Sequence, residues 1–134
     1  SDNPVQRYIE SVLKLVNCTV FHSIFQREAL DGYDFQKNCP SEDKIVLGTL
    51  LWHGKLLYNN NEAYIRRYFD TANREAKEQQ GCYVNRLNNT HFFDTHIKNF
   101  QRLLSQSIPS SLHSSLTNML FGALCKKHGL PSHR

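Results

Sequence analysis

Long apolar runs are missing from this sequence, and so are the short motifs that mark most enzymes and metal proteins. No apolar stretch approaches the ~20 residues that a helix needs to cross a bilayer. The chain has no G-x-S-x-G, no glycine-rich phosphate loop and no H-E-x-x-H, and its cysteines include no C-x-x-C pair. We therefore expect no membrane insertion, no enzymatic activity and no cofactor.

The histidines do not form a metal-binding pattern either. His91 and His96 lie five residues apart, which puts them on different faces of a helix. Cys125 and His128 have ligand-like spacing, but one pair without a second is a weak signal, and a cysteine in a disulfide cannot bind metal. No metal site is predicted.

Length and charge point to one small domain. The 134 residues are enough for a single hydrophobic core, so we predict one domain over residues 1–134. The net charge of +4 is spread among interspersed acidic and basic residues, without the dense clusters of a nucleic-acid-binding protein. There is no initiator Met and no signal peptide, so we expect a mature or trimmed product.

Cysteines and glycosylation sequons both favour secretion. The cysteines are scattered and even in number, which suits two disulfides, and their pairing is open because four cysteines allow three connectivities. They are Cys18, Cys39, Cys82 and Cys125. Sequons at Asn17 and Asn88 matter only in a chain that enters the secretory pathway. We predict a secreted, extracellular glycoprotein.

Apolar periodicity predicts five helices and almost no strand. The strongest starts at Asn89 or Thr90, repeats apolar residues in steps of three and four, and ends before Pro109. The other four predicted helices begin at Pro4, at Ser41, after Asn61 and at Ser111. Residues 19–27 fit a helical extension or a short strand, and residues 29–38 read as a loop.

The same pattern predicts which side chains are buried. The second helix looks apolar through Leu57 and Tyr58, with Trp52 in the core and with Gly48 and Gly54 each costing about 1 kcal/mol against Ala. The last helix, ending at Gly129, should have Met119 on its apolar side. On the helix before it, the solvated side should hold Asp94, Lys98, Asn99 and Arg102.

A small secreted helical protein acts either by presenting a helix face to a partner or by enclosing an apolar ligand. For the first, the candidate surface is the charged face of the third helix beside the first helix, comprising Arg66, Arg67, Asp70 and Arg74 with Arg7, Glu10 and Lys14. A solvated face with i,i+4 pairs is the simpler interpretation of those charges. For the second, a cavity could be lined by aromatics that are otherwise core residues, namely Tyr64, Tyr68, Phe69, Phe93 and Phe100.

Four segments in order resemble one known family. They are IESVLKLVN, CPSEDKIVLGTLLWHGK, AYIRRYFDTANREAKEQQGC and YVNRLNNTHFFDTHIKNFQRLL. These are similar to the first helix, the second helix with its cysteine, the basic third helix and the last helix of the interleukin-4/interleukin-13 group of short-chain four-helix cytokines. Unlike that group, this chain has a further predicted helix from Ser111 to His128, and one of the usual cysteine pairs is missing. The colony-stimulating-factor group stays open as another branch.

The resemblance implies an all-α, up-up-down-down bundle with an additional C-terminal helix and with Cys39–Cys82 and Cys18–Cys125 disulfides. It implies a monomeric secreted cytokine that brings cell-surface class I receptor chains together and triggers immune signalling or growth. Glu10 would be the acidic anchor and Arg74 the basic anchor for one receptor chain, and Lys98 and Arg102 would face a second. The alternative prediction is a secreted helical carrier of a small apolar ligand.

Overall fold

The computed structural model describes residues 1–14, 24–35, 42–57 and 92–131. These ranges contain four α-helices: α1 (Pro4–Lys14), α2 (Glu42–His53), α3 (residues 92–107) and α4 (His113–His128). Short 3₁₀ turns span Arg27–Leu30 and Ser110–Leu112. The described ranges include no strand, so the all-α prediction is confirmed for them. None of their helices is both long and apolar enough to cross a membrane.

Several predicted features fall outside the described residues. The predicted third helix lies there with its charged face, and so do the two sequons and three of the four cysteines. The residues concerned are Arg66, Arg67, Asp70, Arg74, Asn17, Asn88, Cys18, Cys39 and Cys82. Their assigned roles therefore stay predictions.

Three helix ends predicted from local signals are confirmed, whereas α4 begins at His113 rather than at Ser111, because Ser110–Leu112 form a 3₁₀ turn without a side-chain cap. Asn3 caps α1, because its side-chain oxygen accepts a hydrogen bond from the backbone N–H of Gln6 at 3.2 Å. Gly129 closes α4 with a left-handed φ of 65°, as a glycine after a helix commonly does. Pro109 follows the end of α3 by two residues.

The predicted extent of the second helix is wrong. The helix ends at His53 instead of continuing through Tyr58, and Leu57 is 94% exposed. The reason is Arg7 of α1, whose guanidinium donates to the carbonyl oxygens of Leu51 at 2.6 Å and Trp52 at 2.8 Å. In a longer helix, those two carbonyls would accept hydrogen bonds from backbone N–H groups of the next turn. Here a side chain 44 positions away in the sequence supplies the donors instead.

Aromatic rings fill the centre of the described core. Tyr8 of α1 packs at 6.5 Å from Trp52 of α2 and at 4.8 Å from Phe100 of α3, measured between ring centroids. Trp52 and Phe100 meet edge to face at 5.9 Å. Aromatic pairs in such geometry contribute about 0.5–1.5 kcal/mol beyond the burial of their area. The predicted core position of Trp52 is confirmed.

Gly48 lets α1 approach α2 closely. A Cβ built at this position would lie 2.9 Å from Cε2 of Tyr8, a distance that carbon atoms do not tolerate without movement. The conformational cost of a glycine inside α2 is therefore offset by close packing of the Tyr8 ring over the helix backbone.

Helices α3 and α4 form an antiparallel hairpin. A short connection, residues 108–112, joins them at one end. At the other end, Phe92 and Phe93 at the start of α3 pack 5.7 Å and 5.4 Å from the ring of His128 at the end of α4. Leu120 and Leu124 of α4 are buried in the same hydrophobic cluster as the α3 side chains.

The first two helices also run antiparallel. Arg7 places the first turn of α1 beside the last turn of α2. At the opposite end of the molecule, Lys127 of α4 donates to the carbonyl of Leu13 at the end of α1 at 3.2 Å, and Lys44 at the start of α2 lies near His128. This order differs from the up-up-down-down arrangement, in which the first two helices are parallel. The Arg7 contacts and the Tyr8–Gly48 packing favour the antiparallel pair.

Besides that of Leu57, two further burial predictions are wrong. Asn99 is 9% exposed because α3 is covered by both α1 and α2, so that the side predicted to be solvated is partly interior. Met119 is 55% exposed because it lies about 100° round the helix from the buried Leu120.

Candidate functional site

The predicted charged residues of α1 form a short strip beside the end of α2. Glu10 accepts hydrogen bonds from Gln6 at 2.9 Å and from the Lys14 ammonium at 3.0 Å. The Lys14 hydrogen bond, followed by that from Gln6, lowers the pKa of the Glu10 carboxyl. Both charged side chains keep substantial contact with solvent, so a partner can reach this ion pair.

Arg7 belongs to the same strip but its guanidinium is already engaged. Besides the two α2 carbonyls, it donates to the backbone oxygens of Ser1 at 3.2 Å and Asp2 at 2.8 Å. Asp2 in turn pairs with Lys55, just beyond α2. Arg7 thus holds the N-terminus and the end of α2 together, a structural task that the sequence pattern did not indicate.

A shallow cleft of about 320 Å³, the α1–α2 cleft, lies along this strip. Its lining includes Glu10 and Lys14 of α1 with Leu51, Lys55 and Leu56 at the end of α2. The apolar leucines lie beside charged groups on both helices. Such a mixture suits contact with another protein, where apolar area supplies affinity and charges supply orientation.

A second charged cleft, the α3 cleft, lies over α3 and has a volume of about 330 Å³. It contains both residues predicted to face a second receptor chain, Lys98 and Arg102. The two clefts share no lining residue. The rest of the α3 cleft is lined by Tyr33, Asp34, Asp94, Thr95 and Asn99.

Arg102 is fixed at the floor of the α3 cleft. Its Nη2 donates to Oδ1 of Asn99 at 3.1 Å. Its Nη1 lies 3.4 Å from where a Cβ at Gly32 would be, and Gly32 has a φ of 73° that favours glycine. The loop can therefore pass closely over the guanidinium.

A buried chain of hydrogen bonds, here called the polar seam, continues from Arg102 into the core. It comprises Asn99, Tyr8, His96 and Thr49. The amide of Asn99 donates to the Tyr8 hydroxyl at 3.2 Å and to Oγ1 of Thr49 at 2.9 Å. Tyr8 and Nδ1 of His96 share a hydrogen bond of 2.9 Å, and Thr49 donates to the carbonyl of Ile45 at 3.0 Å. The seam joins α1, α2 and α3.

Burial sets the protonation states of the polar seam. It raises the pKa of the Tyr8 phenol well above its usual value, so the hydroxyl stays protonated. Burial, with smaller contributions from His128 and Lys44, lowers the pKa of His96 to about 3. The neutral ring of His96 can accept a hydrogen bond from the Tyr8 hydroxyl at Nδ1, while the Tyr8 oxygen accepts a hydrogen bond from the Asn99 amide. The arrangement positions three helices and offers no group poised to exchange a proton near neutral pH.

A third cleft, the apolar cleft, lies between residues 24–29 and the end of α2. It has a volume of about 350 Å³ and includes Ile24, Phe25, Leu50 and Leu57 in its lining. Ile24 and Leu57 are among the most exposed large apolar side chains of the described residues. None of the aromatics predicted to line a cavity contributes: Phe93 and Phe100 are core residues, and the others lie outside the described ranges.

Cys125 of α4 is a buried, free thiol. The predicted disulfide between Cys18 and Cys125 is therefore not confirmed. Among the described residues, no group of three or more His, Cys, Asp or Glu side chains is arranged to hold a metal ion.

Comparison with known proteins finds no match for this chain among protein-family profiles, curated proteins or solved structures. Glu10 and Lys14 meet in one cleft and Lys98 and Arg102 in another. The residues that sequence reasoning missed are those of the polar seam, because partners 88 and 91 positions apart leave no local pattern.

Proposed function

We propose that this protein is a secreted, monomeric cytokine of the short-chain helical type, with an additional C-terminal helix. It binds class I receptor chains on the cell surface and brings them together to trigger immune signalling. The observation that supports this function is the presence of two separate charged clefts on one packed helical core, each containing residues predicted for a different receptor chain.

Two clefts with no shared lining residue allow two partners to bind at the same time. The α1–α2 cleft offers Glu10 as the acidic anchor for the first receptor chain, with Lys14 beside it. The α3 cleft offers Lys98 and Arg102 to the second. Contributions from Arg66, Arg67, Asp70 and Arg74 to the first surface remain part of the proposal.

The polar seam supports this function because it connects the two surfaces rigidly. Tyr8, on the buried side of α1, is hydrogen-bonded to Asn99, which holds Arg102 in the α3 cleft. A preorganised surface loses less conformational entropy on binding. The antiparallel α1–α2 pair differs in helix direction from the family that the sequence resembles. Both clefts are nevertheless accessible.

Binding to isolated receptor ectodomains tests the proposal. We expect the folded protein to bind a class I cytokine-receptor chain in surface plasmon resonance. Glu10→Ala should weaken binding of the first chain about tenfold or more, as loss of an interface anchor does. Glu28→Ala removes an exposed carboxylate outside both charged clefts and should leave the affinity unchanged.

The second receptor chain is tested in the same way. Lys98→Ala should weaken its binding while sparing the first chain, and Arg27→Ala, an exposed cation elsewhere, is the control. If none of the receptor chains binds, or if Glu10→Ala and Glu28→Ala bind equally, the proposed sites are incorrect.

The apolar cleft favours one alternative, a secreted carrier of a small apolar ligand. Its volume of about 350 Å³ lies within the range of small-molecule pockets, which are mostly apolar. A carrier should retain an apolar compound through purification, visible in native mass spectrometry. Ala29→Trp places a large side chain in the cleft and should abolish retention, whereas receptor binding by the same variant would favour the cytokine function.

A further inference from the structure

Three charged residues of α3 line the α3 cleft in a row. Asp94, Lys98 and Arg102 follow one another at steps of four residues, so they share one side of the helix. These residues are here called the α3 charge row. At a rise of about 1.5 Å per residue, the row is about 12 Å long. Its negative charge lies toward the start of α3 and its two positive charges toward the end, so the cleft is charged oppositely at its two ends.

The first two members of the row are not paired with each other. Asp94 and Lys98 have the i,i+4 spacing at which ion pairs commonly form on a helix, and at this spacing Glu10 and Lys14 of α1 do pair, at 3.0 Å. In the part of the chain that the structure describes, the side chains of Asp94 and Lys98 make no ion pair or hydrogen bond, and both are exposed. Each can therefore pair with a charge that a partner brings.

Arg102, the third member, is held in position by the polar seam. Its Nη2 donates to Asn99, which is itself buried and hydrogen-bonded to Tyr8 and Thr49. No described acidic residue forms an ion pair with Arg102. The donors that do not contact Asn99 can therefore pair with a carboxylate, the anion whose shape a guanidinium matches best. Because the side chain is already ordered, less conformational entropy is lost when a partner binds.

The charges of the α3 cleft exclude several kinds of ligand. Asp34 also lines the cleft, so its charged residues are two acids and two bases. Asp34 has contacts of its own, which leaves Asp94 as the acid open to a partner. A polyanion would meet both carboxylates and is a poor fit. A free amino acid, whose two charges are separated by one carbon atom, is too short to reach from Asp94 to Arg102. A protein surface can place two opposite charges at that distance.

We propose that the α3 cleft recognises a dipolar segment of the second receptor chain. A basic side chain of the receptor pairs with Asp94, and an acidic one pairs with Arg102 and Lys98. This inference rests on the proposed function, and it adds Asp94 to the binding site and states the chemistry of the partner. A receptor segment lying in the reverse direction would bring like charges together, which costs affinity. The row therefore sets the direction in which the receptor lies along α3.

Exchange of charges within the row tests this direction. The probe is the class I receptor ectodomain whose binding Glu10→Ala spares. Asp94→Lys/Lys98→Asp keeps the net charge but reverses the polarity, and it should weaken binding about tenfold or more in surface plasmon resonance. The matched control, Arg27→Glu/Glu28→Arg, exchanges two exposed charges outside the three clefts and should change affinity less than about twofold. Circular dichroism checks the fold, because an acid at Asp94 is favourable near the positive end of α3.

Neutralisation of Asp94 tests the pair with a receptor cation. Asp94→Asn should weaken binding about threefold and reduce its dependence on salt concentration, because an attractive pair is lost. Glu28→Gln, which removes one exposed carboxylate elsewhere, should leave the affinity unchanged. If Asp94→Asn binds as well as the wild type or more tightly, the cleft recognises an anionic group alone and the proposal is overturned. Equal weakening by the two charge-exchange variants would also overturn it.

Failure of this inference and failure of the proposed function give different results. If the wild type binds the receptor and Asp94→Asn binds equally well, the dipolar recognition is wrong and the cytokine function stands. If no receptor ectodomain binds the wild type, the proposed function is wrong and the inference falls with it.

Discussion

The polar seam and the α3–α4 contact are built on different principles. In the seam, the side chains of Tyr8, Thr49 and Asn99 are buried and hydrogen-bonded across three helices. Between α3 and α4, the contacts are apolar and aromatic, as in the 6.3 Å packing of Phe93 on Phe121. Apolar contacts stabilise many alternative packings, whereas a satisfied buried network stabilises one. The seam is therefore expected to specify how α1, α2 and α3 align.

One buried hydroxyl on α4 contrasts with the hydroxyls of the polar seam. Oγ1 of Thr117 has no hydrogen-bond partner among the described residues, although the side chain is buried. Thr49 of α2, equally buried, both accepts from Asn99 and donates to Ile45. The same residue type thus occurs with and without partners in one molecule.

Disrupting the polar seam should have the largest effect on the free energy of unfolding. Asn99→Ala removes the donor to Tyr8 and to Thr49 and the acceptor of Arg102, so we expect a loss of about 2–3 kcal/mol in the free energy of unfolding. Urea denaturation measures it. Asn118→Ala, the same change at an exposed position of α4, should cost less than about 0.5 kcal/mol. Equal losses would mean that the seam does not contribute specifically.

Acidification should have the second-largest effect on the free energy of unfolding, because it destabilises the polar seam. His96 has a pKa of about 3 in the folded protein, below the unfolded value of 6.5, so the folded state binds fewer protons and stability falls as pH drops below 6.5. From pH 7 to pH 5 the loss should be about 2 kcal/mol. Denaturation at both pH values measures it. His96→Gln, less stable at pH 7, should lose most of this pH dependence; an unchanged slope would contradict the assignment.

The smallest effect distinguishes the two threonines. Thr117→Val removes a hydroxyl that has no partner in the described part of the chain, and it should raise the free energy of unfolding by up to about 1 kcal/mol. Thr49→Val removes a hydroxyl with two partners and should lower it by about 1–2 kcal/mol. Thermal denaturation of the pair gives the comparison directly. Changes of the same sign in both variants would show that hydrogen bonding does not separate the two regions.

Helix positions were largely predictable because their signals are local. Asn3 with Pro4 marked the start of α1, Pro109 the end of α3 and Gly129 the end of α4. Each acts through its own backbone or side chain within a few residues, so no knowledge of the fold is needed. The end of α2 was mispredicted because Arg7, a distant residue, satisfies its last carbonyls.

The candidate sites were predictable only in part. Charge pattern and family resemblance pointed to Glu10, Lys14, Lys98 and Arg102 as surface groups, and the structure groups them in two clefts. Arg7 belongs to the same charge pattern, but its guanidinium already donates hydrogen bonds to backbone oxygens. Helical periodicity alone predicts that every polar residue opposite the apolar face is solvated. It does not reveal a polar residue whose hydrogen-bond partners lie on other helices.

Sequence alone determined that the described ranges fold into helices, where α1 starts, where α3 and α4 end, and which aromatic faces are buried, because capping, proline geometry and apolar spacing act over a few residues. Tertiary structure decided the antiparallel direction of α1 and α2, the burial of Asn99 and the neutral state of His96. These depend on contacts between residues about 40 to 90 positions apart, where close packing and loss of water set the energies.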